Sequence, residues 1–486
     1  MTYFSTALLL GGLLVLASTA RAQISTFAPA TAYSSGGDAP SNIAVADING
    51  DGKPDLLLSN SIVGTVGVLL NSGNGAFQPA TTYFMGVGTH VASLAVADVN
   101  HDSKPDLLAT DFAAGAVGVL LGSGNGTFQT VTRYSTAPAI IPYDIAVADV
   151  NGDSHPDLVL GAYAGSSMTS SVGVLLGNGT GSFRPVVTFA SSNHLGIAVA
   201  DVNGDGKQDV LTASITSSSA GVLVGNGNGT LQPEVAYDTG SNSTPHDVAV
   251  ADVNADGQPD LVTANYSTST VGVLLNAGHG VFQPVTTYST GNNSSPEGIA
   301  VADVNGDGLP DLLTANYYGD AVGVLLGAGN GSFQAVTTYS TNYGGHLLTS
   351  PFAIVATDIN GDGKPDLLTA NRGDDTAGVL FNTATPLATR AALLGATATL
   401  APNPASDHAT LSLAGLSAAV VRVQVILLDA TGRAVARHTL AAAQGSARTE
   451  LPTAALAAGL YVLRLEVLDA QGQLAGSLPA QRLSIR

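Results

Sequence analysis

The chain has no cysteine and no tryptophan, and only 11% of its 486 residues are charged. The absence of cysteine rules out disulfides, thiolate metal sites and a lipid-modified N-terminal cysteine. Without tryptophan the chain lacks the largest stacking surface for a sugar ring. Lysine and arginine number 16 against 36 acidic residues, for a formal net charge of −20. That balance argues against nucleic acid as a partner, which needs a basic patch. Helical periodicity is absent throughout. The one long apolar stretch, Ala7 to Ala17, is too short for a transmembrane span and reads as the core of a signal peptide. Ala20-Arg21-Ala22 follows as a small-x-small cleavage site. Residues 1–22 are therefore expected to be a signal peptide, with a mature start at Gln23.

What is abundant is glycine, 58 residues, and one repeated acidic motif. The first copy is Asp47-Ile48-Asn49-Gly50-Asp51-Gly52-Lys53-Pro54-Asp55, and six more start at Asp98, Asp149, Asp201, Asp252, Asp303 and Asp358. A fixed period near 51 residues means a repeat architecture. The seven motifs hold three Asp each, so they account for 21 of the 36 acidic residues. Seven bound divalent ions would bring the charge from −20 to −6, so the acidity is local and metal-directed.

Each repeat reads as four short strands. In the first, Ile43–Asp47 enters the motif, Asp55–Asn60 leaves it, Thr65–Asn71 follows a polar turn, and Phe77–Tyr83 follows a Gly-rich turn. The first strand carries paired alanines, Ala44/Ala46, repeated as Ala95/Ala97, Ala146/Ala148, Ala198/Ala200, Ala249/Ala251 and Ala300/Ala302; the seventh repeat has Val355 and Thr357. One small face and one branched face suit sheets that converge on an axis, as in a β-propeller. The seventh repeat stops near Asn382 without a fourth strand, while Phe27-Ala28-Pro29-Ala30-Thr31-Ala32-Tyr33 matches Phe77-Gln78-Pro79-Ala80-Thr81-Thr82-Tyr83. An N-terminal strand completing the last blade would close a ring. A linear β-solenoid is the competing reading, but it would not need complementary half-repeats at its two ends.

Oxygen-bearing side chains at alternate positions with a glycine at the bend form a calcium-loop pattern. Position 1 is Asp47, Asp98, Asp149, Asp201, Asp252, Asp303 and Asp358. Position 3 is Asn49, Asn100, Asn151, Asn203, Asn254, Asn305 and Asn360. Position 5 is Asp51, Asp102, Asp153, Asp205, Asp256, Asp307 and Asp362. Position 7, expected to offer its backbone carbonyl, is Lys53, Lys104, His155, Lys207, Gln258, Leu309 and Lys364. Position 9 is Asp55, Asp106, Asp157, Asp209, Asp260, Asp311 and Asp366. Leu58 stands where an EF-hand has its bidentate Glu, so these are not EF-hands. Ser103 and Ser154 replace glycine at position 6, where a non-Gly residue is strained, and weaker binding is expected there.

These repeats resemble the FG-GAP/VCBS family, whose calcium-bearing blades also build integrin α-subunit propellers. The resemblance covers residues 24 to about 383. It implies an all-β, seven-bladed β-propeller over residues 23–384 with up to seven calcium ions, held in the loops between first and second strands. Calcium is expected to staple each blade in a chain that has no disulfides.

Composition shifts after Thr383, and residues 385–398 read as a linker. Beyond it lie Pro402-Asn403-Pro404, a turn at Asp429-Ala430-Thr431-Gly432-Arg433, Ala458-Gly459-Leu460-Tyr461 and a basic-ended last strand, Arg482–Arg486. Alternating strands in so short a stretch suggest a small Ig-like β-sandwich. Residues 399–486 resemble the C-terminal sorting domain of type IX secretion cargo. That implies dealings with the type IX secretion machinery and release from, or anchoring at, the outer cell surface.

The propeller face opposite the loops carries Tyr143, His246, Glu297 and Phe352 before first strands. Phe112, Tyr163, Tyr266, Tyr317 and Tyr318 lie between second and third strands. Such groups suit an extracellular glycan or protein ligand, so a binding or adhesion module is expected. Arg372-Gly373-Asp374 lies in one of these turns and is good turn chemistry before it is an adhesive signal. The nine His show no zinc spacing. No catalytic constellation emerges, and a non-enzyme is expected. The alternative is a carbohydrate-active lyase or hydrolase, for which His246, Asp247 and Glu297 are the only acid/base group in view.

Overall fold

The coordinates are a computed structural model. They describe residues 26–384 apart from 87–89, 163–170, 193 and 347, together with most of 397–485. The expected signal peptide, Tyr163, nearly all of the expected linker, the turn at 429–433, and Pro402, Pro404 and Ala458 lie outside the described residues. The chain divides into two compact units, one over residues 25–384 and one within 385–486.

Every described element is a β-strand. The first sheet consists of Pro40–Ala46, Asp55–Asn60, Thr65–Leu69 and Thr81–Phe84, in that order and antiparallel throughout. Five further sheets repeat the order, with first strands Val91–Ala97, Pro142–Ala148, His194–Ala200, Pro245–Ala251 and Pro296–Ala302. The last sheet has Pro351–Thr357, Asp366–Asn371 and Thr376–Leu380 from its own repeat, and its outer strand is Thr31–Ser34. Thr31 opposes Val379 and Ser34 opposes Thr376. This is a repeated four-strand arrangement of the kind that builds β-propellers.

Several boundaries differ from expectation. The first strand begins at Pro40 rather than Ile43, so Tyr143, His246, Glu297 and Phe352 lie within first strands rather than before them. The third ends at Leu69 rather than Asn71. Phe77 does not start the fourth strand. It pairs with Asn71 in a short bridge, Gln78 donates to the Leu70 carbonyl, and the outer strand begins only at Thr81. The same gap follows Phe128 and Phe333, where Thr130 and Ala335 stand in place of Pro79, so it belongs to the repeat and not to the proline.

The second strands are buried on both faces, as Leu56, Leu57 and Leu58 show at 0% exposure. Inner-strand alternation sorts the core. Ala44 and Ala46 pack with Leu57, Val66 and Val68 against Leu94, Leu107 and Val96 of the second sheet. Ile43 and Val45 face the other way, onto Leu368, Ala370 and Val379 of the last sheet. The small face of each of the first six sheets thus meets the opposite face of the next, and at the last seam Val355 stands in for the alanine; the seven clusters each span two sheets. At about 25 cal/mol per Å² of apolar surface buried, these seams are the main source of stability. A ring pair clips the rim of most seams. Tyr83 meets Phe128 edge-on at 5.1 Å, and Tyr134 meets Phe183 at 5.4 Å. The N-terminal segment joins in at both ends, Phe27 against Tyr339 at 5.0 Å and Tyr33 against Phe77 at 5.1 Å.

The second unit has a three-stranded sheet, Thr397–Ala401, His408–Ala414 and Ser446–Pro452. Its four-stranded sheet runs Ala434–Ala441, Arg422–Leu428, Gly459–Leu468 and Leu474–Ile485. Leu411, Leu413 and Leu451 of the first sheet share one core with Val425, Leu427, Leu463 and Leu483 of the second.

Candidate functional site

Two places bring functional side chains together, at opposite ends of the sheets. The first is the set of acidic loops joining first to second strands. In loop one, Asp47 Oδ1 accepts from the Gly50 and Asp51 N–H groups at 2.8 and 3.1 Å, and Oδ2 from Gly52 at 2.7 Å. Asn49 Oδ1 accepts from Asp51 at 2.8 Å and Asp51 Oδ1 from Lys53 at 3.0 Å. The oxygens of positions 1, 3 and 5 are thus drawn inside the loop by its own backbone. The fourth and seventh loops repeat these bonds closely.

Position 9 does something else. Asp55 is fully buried, and its oxygens accept from Ile48 at 3.0 Å and Asn71 at 2.7 Å, tying the loop to the strands behind it. The same two bonds hold Asp106, Asp157, Asp209, Asp260, Asp311 and Asp366. Burial pushes these carboxyls up, Asp311 to about 7 and Asp366 to about 6. Among the described residues no three His, Asp or Glu side chains gather tightly enough to hold a metal by themselves. The donors available to an ion are the mixed oxygen set of the motif, carboxylates with the Asn amide, which is hard-cation chemistry. That donor set fits calcium.

Ser103 and Ser154 sit at φ +63° and +66°, the left-handed region expected of position 6. Position 4 is left-handed too, which the motif alone did not reveal. His101 takes φ +60° and Ala255 +61° where the other repeats have glycine.

The second place is a small pocket where the starts of the seven first strands meet, with a cavity of about 60 Å³. Two residues from each repeat line it. Tyr143 and Asp144 come from the third sheet, His246 and Asp247 from the fifth, and Glu297 and Phe352 from the sixth and seventh. His246 Nδ1 lies 2.6 Å from Glu297 Oε2, so two members of the expected acid/base group touch. Asp247 accepts from the Val248 and Ile299 N–H groups at 2.8 and 2.9 Å. Asp247 is partly buried where it lines the pocket. That burial, with the charge of Asp144 second, pushes it up to about 7. Asp144 takes the Ser93 hydroxyl at 2.6 Å and the Ile145 and Ile197 N–H groups at 2.9 Å, and burial raises it too.

Beside the pocket runs an arc of rings. His246 stacks on Tyr266 at 4.3 Å with parallel planes, Tyr266 nears Tyr318 at 6.2 Å, Tyr318 meets Tyr317 at 5.0 Å, and Tyr317 meets Phe352 at 6.2 Å. Arg372 covers Phe352 at 5.1 Å. Phe112 and Tyr143 pair on the far side at 6.0 Å. Arg372 is thus engaged within the fold, and one Asp374 oxygen is buried while the other takes the Thr376 hydroxyl at 2.8 Å. The Arg-Gly-Asp tripeptide is turn chemistry rather than a displayed tip.

A profile for FG-GAP-like repeats matches six times, at residues 47–109, 104–160, 162–212, 201–263, 252–314 and 303–369. A secretion system C-terminal sorting domain matches residues 399–473. No curated protein matches the chain. Among solved structures, the chain described as BBS1N in complex with ARL6DN superposes with a TM-score of 0.52 at 12% identity, over 74% of this chain and 98% of that one. It supports the fold alone. A periplasmic gluconolactonase of Pseudomonas aeruginosa superposes at 0.47 with 17% identity, over 62% of this chain and 85% of that one. That likeness carries no argument about activity.

Proposed function

This chain belongs to the FG-GAP-like repeat family, and from that premise we propose a seven-bladed propeller, closed by its N-terminal strand, that binds a glycan or protein on the face opposite its acidic loops. The sorting domain makes it a protein carried to the outer cell surface. Closure is supported by Thr31–Ser34 in the last sheet and by the core shared between the last and first sheets. Calcium in the seven loops is part of the proposal, as a staple rather than a ligand-binding element. The domain limits are proposed as 23–384 and 399–486.

The observation that carries the binding reading is a contrast between the two ends. Every loop repeats one acidic pattern, whereas the lining of the opposite pocket differs from blade to blade: Asn42, Ser93, Asp144, Gly196, Asp247, Gly298 and Ala353. What is uniform builds scaffold; what varies can discriminate. The pocket is far smaller than the few hundred Å³ of a small-molecule site, so the ligand is expected to lie across the ring arc. An array of glycans and peptides, probed with the full chain in calcium, tests this. Tyr318→Ala and Phe352→Ala should lose at least about tenfold in affinity with unchanged folding. Unchanged binding in both variants overturns the reading.

The His246–Glu297 contact beside Asp247 favours the second reading, a carbohydrate-active enzyme. Turnover of a polysaccharide, abolished by His246→Ala or Glu297→Ala, would establish it.

A further inference from the structure

We infer that His101 and His155 form a surface site for a divalent transition-metal ion of the imidazole-binding kind, such as Zn²⁺ or Cu²⁺, across the seam between the second and third sheets. The two residues lie 54 apart, at position 4 of the second acidic loop and position 7 of the third. His101 Nε2 and His155 Nδ1 are 2.9 Å apart, with ring centroids at 5.1 Å and planes at 51°. His101 is exposed and His155 half-buried, so an ion reaches them from solvent.

Both residues depart from the pattern of their repeats, and toward each other. At position 7, Lys53, Lys104, Lys207 and Lys364 turn back onto the position-5 Asp of their own loops at 3.1 to 3.6 Å. His155 reaches across the seam instead. At position 4 the backbone is left-handed, and His101 holds φ +60° where five repeats carry glycine. Non-glycine residues are uncommon in that region, and His is one of the few types that tolerates it. Gly179 leaves the room: a Cβ on it would stand 2.5 Å from His155 Nδ1 and 3.1 Å from a carbon of the His101 ring.

The spacing fits an ion. Two imidazole nitrogens bound at about 2.0–2.1 Å lie about 2.9 Å apart at the right angle of a square-planar Cu²⁺ site and about 3.3 Å apart at the tetrahedral angle of Zn²⁺, which needs a small further separation of the rings. Binding needs the rings to rotate so that both lone pairs meet the metal. The ion replaces the hydrogen now shared between the two nitrogens. The ring that carried it takes its hydrogen on the other nitrogen by exchange with water, so both bind neutral. Water completes the coordination. Imidazole suits Zn²⁺ and Cu²⁺, while calcium prefers oxygen, so the site is chemically distinct from the acidic loops. It also joins the second and third loops, the two that carry Ser103 and Ser154.

The test uses the full chain without a histidine tag, saturated with calcium, titrated with Zn²⁺ by calorimetry and with Cu²⁺ by electron paramagnetic resonance. One ion per chain and a two-nitrogen copper signal are expected. His101→Gly suits the backbone and His155→Lys matches other repeats, so both should fold, which a melting curve checks. Each should weaken binding at least about tenfold and remove the two-nitrogen signal. The inference is overturned if wild type binds neither ion, if both variants bind as tightly as wild type, or if excess calcium displaces the ion.

Discussion

Ser103 and Ser154 hold a left-handed backbone that glycine adopts freely. Ser103→Gly and Ser154→Gly should each stabilise the calcium-loaded protein by about 1 kcal/mol, read from denaturant melts. A second effect concerns charge. In three sheets an Asn side chain at the end of the second strand meets the Thr that starts the third, as Asn60 meets Thr65 at 3.3 Å, Asn265 meets Thr270 at 3.3 Å and Asn371 meets Thr376 at 3.1 Å. The second sheet has Asp111 there, and Arg133 from the outer strand reaches in to it and to the Met85 carbonyl. Asp111 is almost fully covered, so Arg133→Ala should cost about 2–3 kcal/mol, allowing for the partial exposure of Arg133. Adding Asp111→Asn should recover most of the loss; no recovery in the double variant would sink this account. Asp247 gives a pH dependence. Its pKa is raised in the fold, so the folded state holds a proton that the unfolded chain releases. The cost of its buried charge is present above about 7 and is relieved as pH falls below that value. Stability should therefore rise from pH 8 to pH 6, by up to about 1 kcal/mol per unit. Asp247→Asn should flatten that slope, whatever it does to absolute stability.

Much of the element scale was legible in the chain. Asp and Asn columns in fixed phase marked the loops, and alternation of Ala44 and Ala46 with Ile43 and Val45 marked a strand with two unlike faces. The match of residues 27–33 to residues 77–83 named the outer strand of the last sheet. The fates of the carboxylates were not legible. Asp47 and Asp55 look alike in the motif, but only the fold shows that one lines a loop and the other is sealed behind it. The pocket was half visible. His246, Asp247 and Glu297 stand out as polar, but Ser93 and Asp144 join them only because equivalent positions of separate repeats meet at one place. Aligning the repeats and reading down the column at the third residue of the first strand would have found them. Likewise His101 and His155 show no metal spacing along the chain, because the seam, not the sequence, makes them neighbours. A prediction belongs at this scale. Removing residues 23–34 should strip the last sheet of its outer strand and two ring pairs, costing about 4 kcal/mol or more. Thermal melts and size-exclusion chromatography should register a lower melting temperature and association through the bared edge.

At the scale of the whole molecule, the loops are where charge and stability meet. The Gly126, Gly181, Gly229 and Gly331 N–H groups each donate to a carbonyl in the acidic loop of the preceding sheet, at 3.0 to 3.3 Å. Disturbing a loop therefore disturbs a seam. Chelating the proposed calcium should lower the melting temperature by more than about 10 °C, and restored calcium should reverse it. An unchanged curve after verified metal removal would rule out stapling.

The pairing of Thr31 with Val379 joins points 348 residues apart. Such joins form late because the intervening chain must first be brought together. Until residues 376–380 arrive, the first strand waits while other edges form around it. Its residues Thr31-Ala32-Tyr33-Ser34 differ little from Thr286-Thr287-Tyr288-Ser289 or Thr337-Thr338-Tyr339-Ser340. A second copy of the chain offers the same strand. Two molecules folding side by side can therefore trade first strands, each completing the other's last sheet.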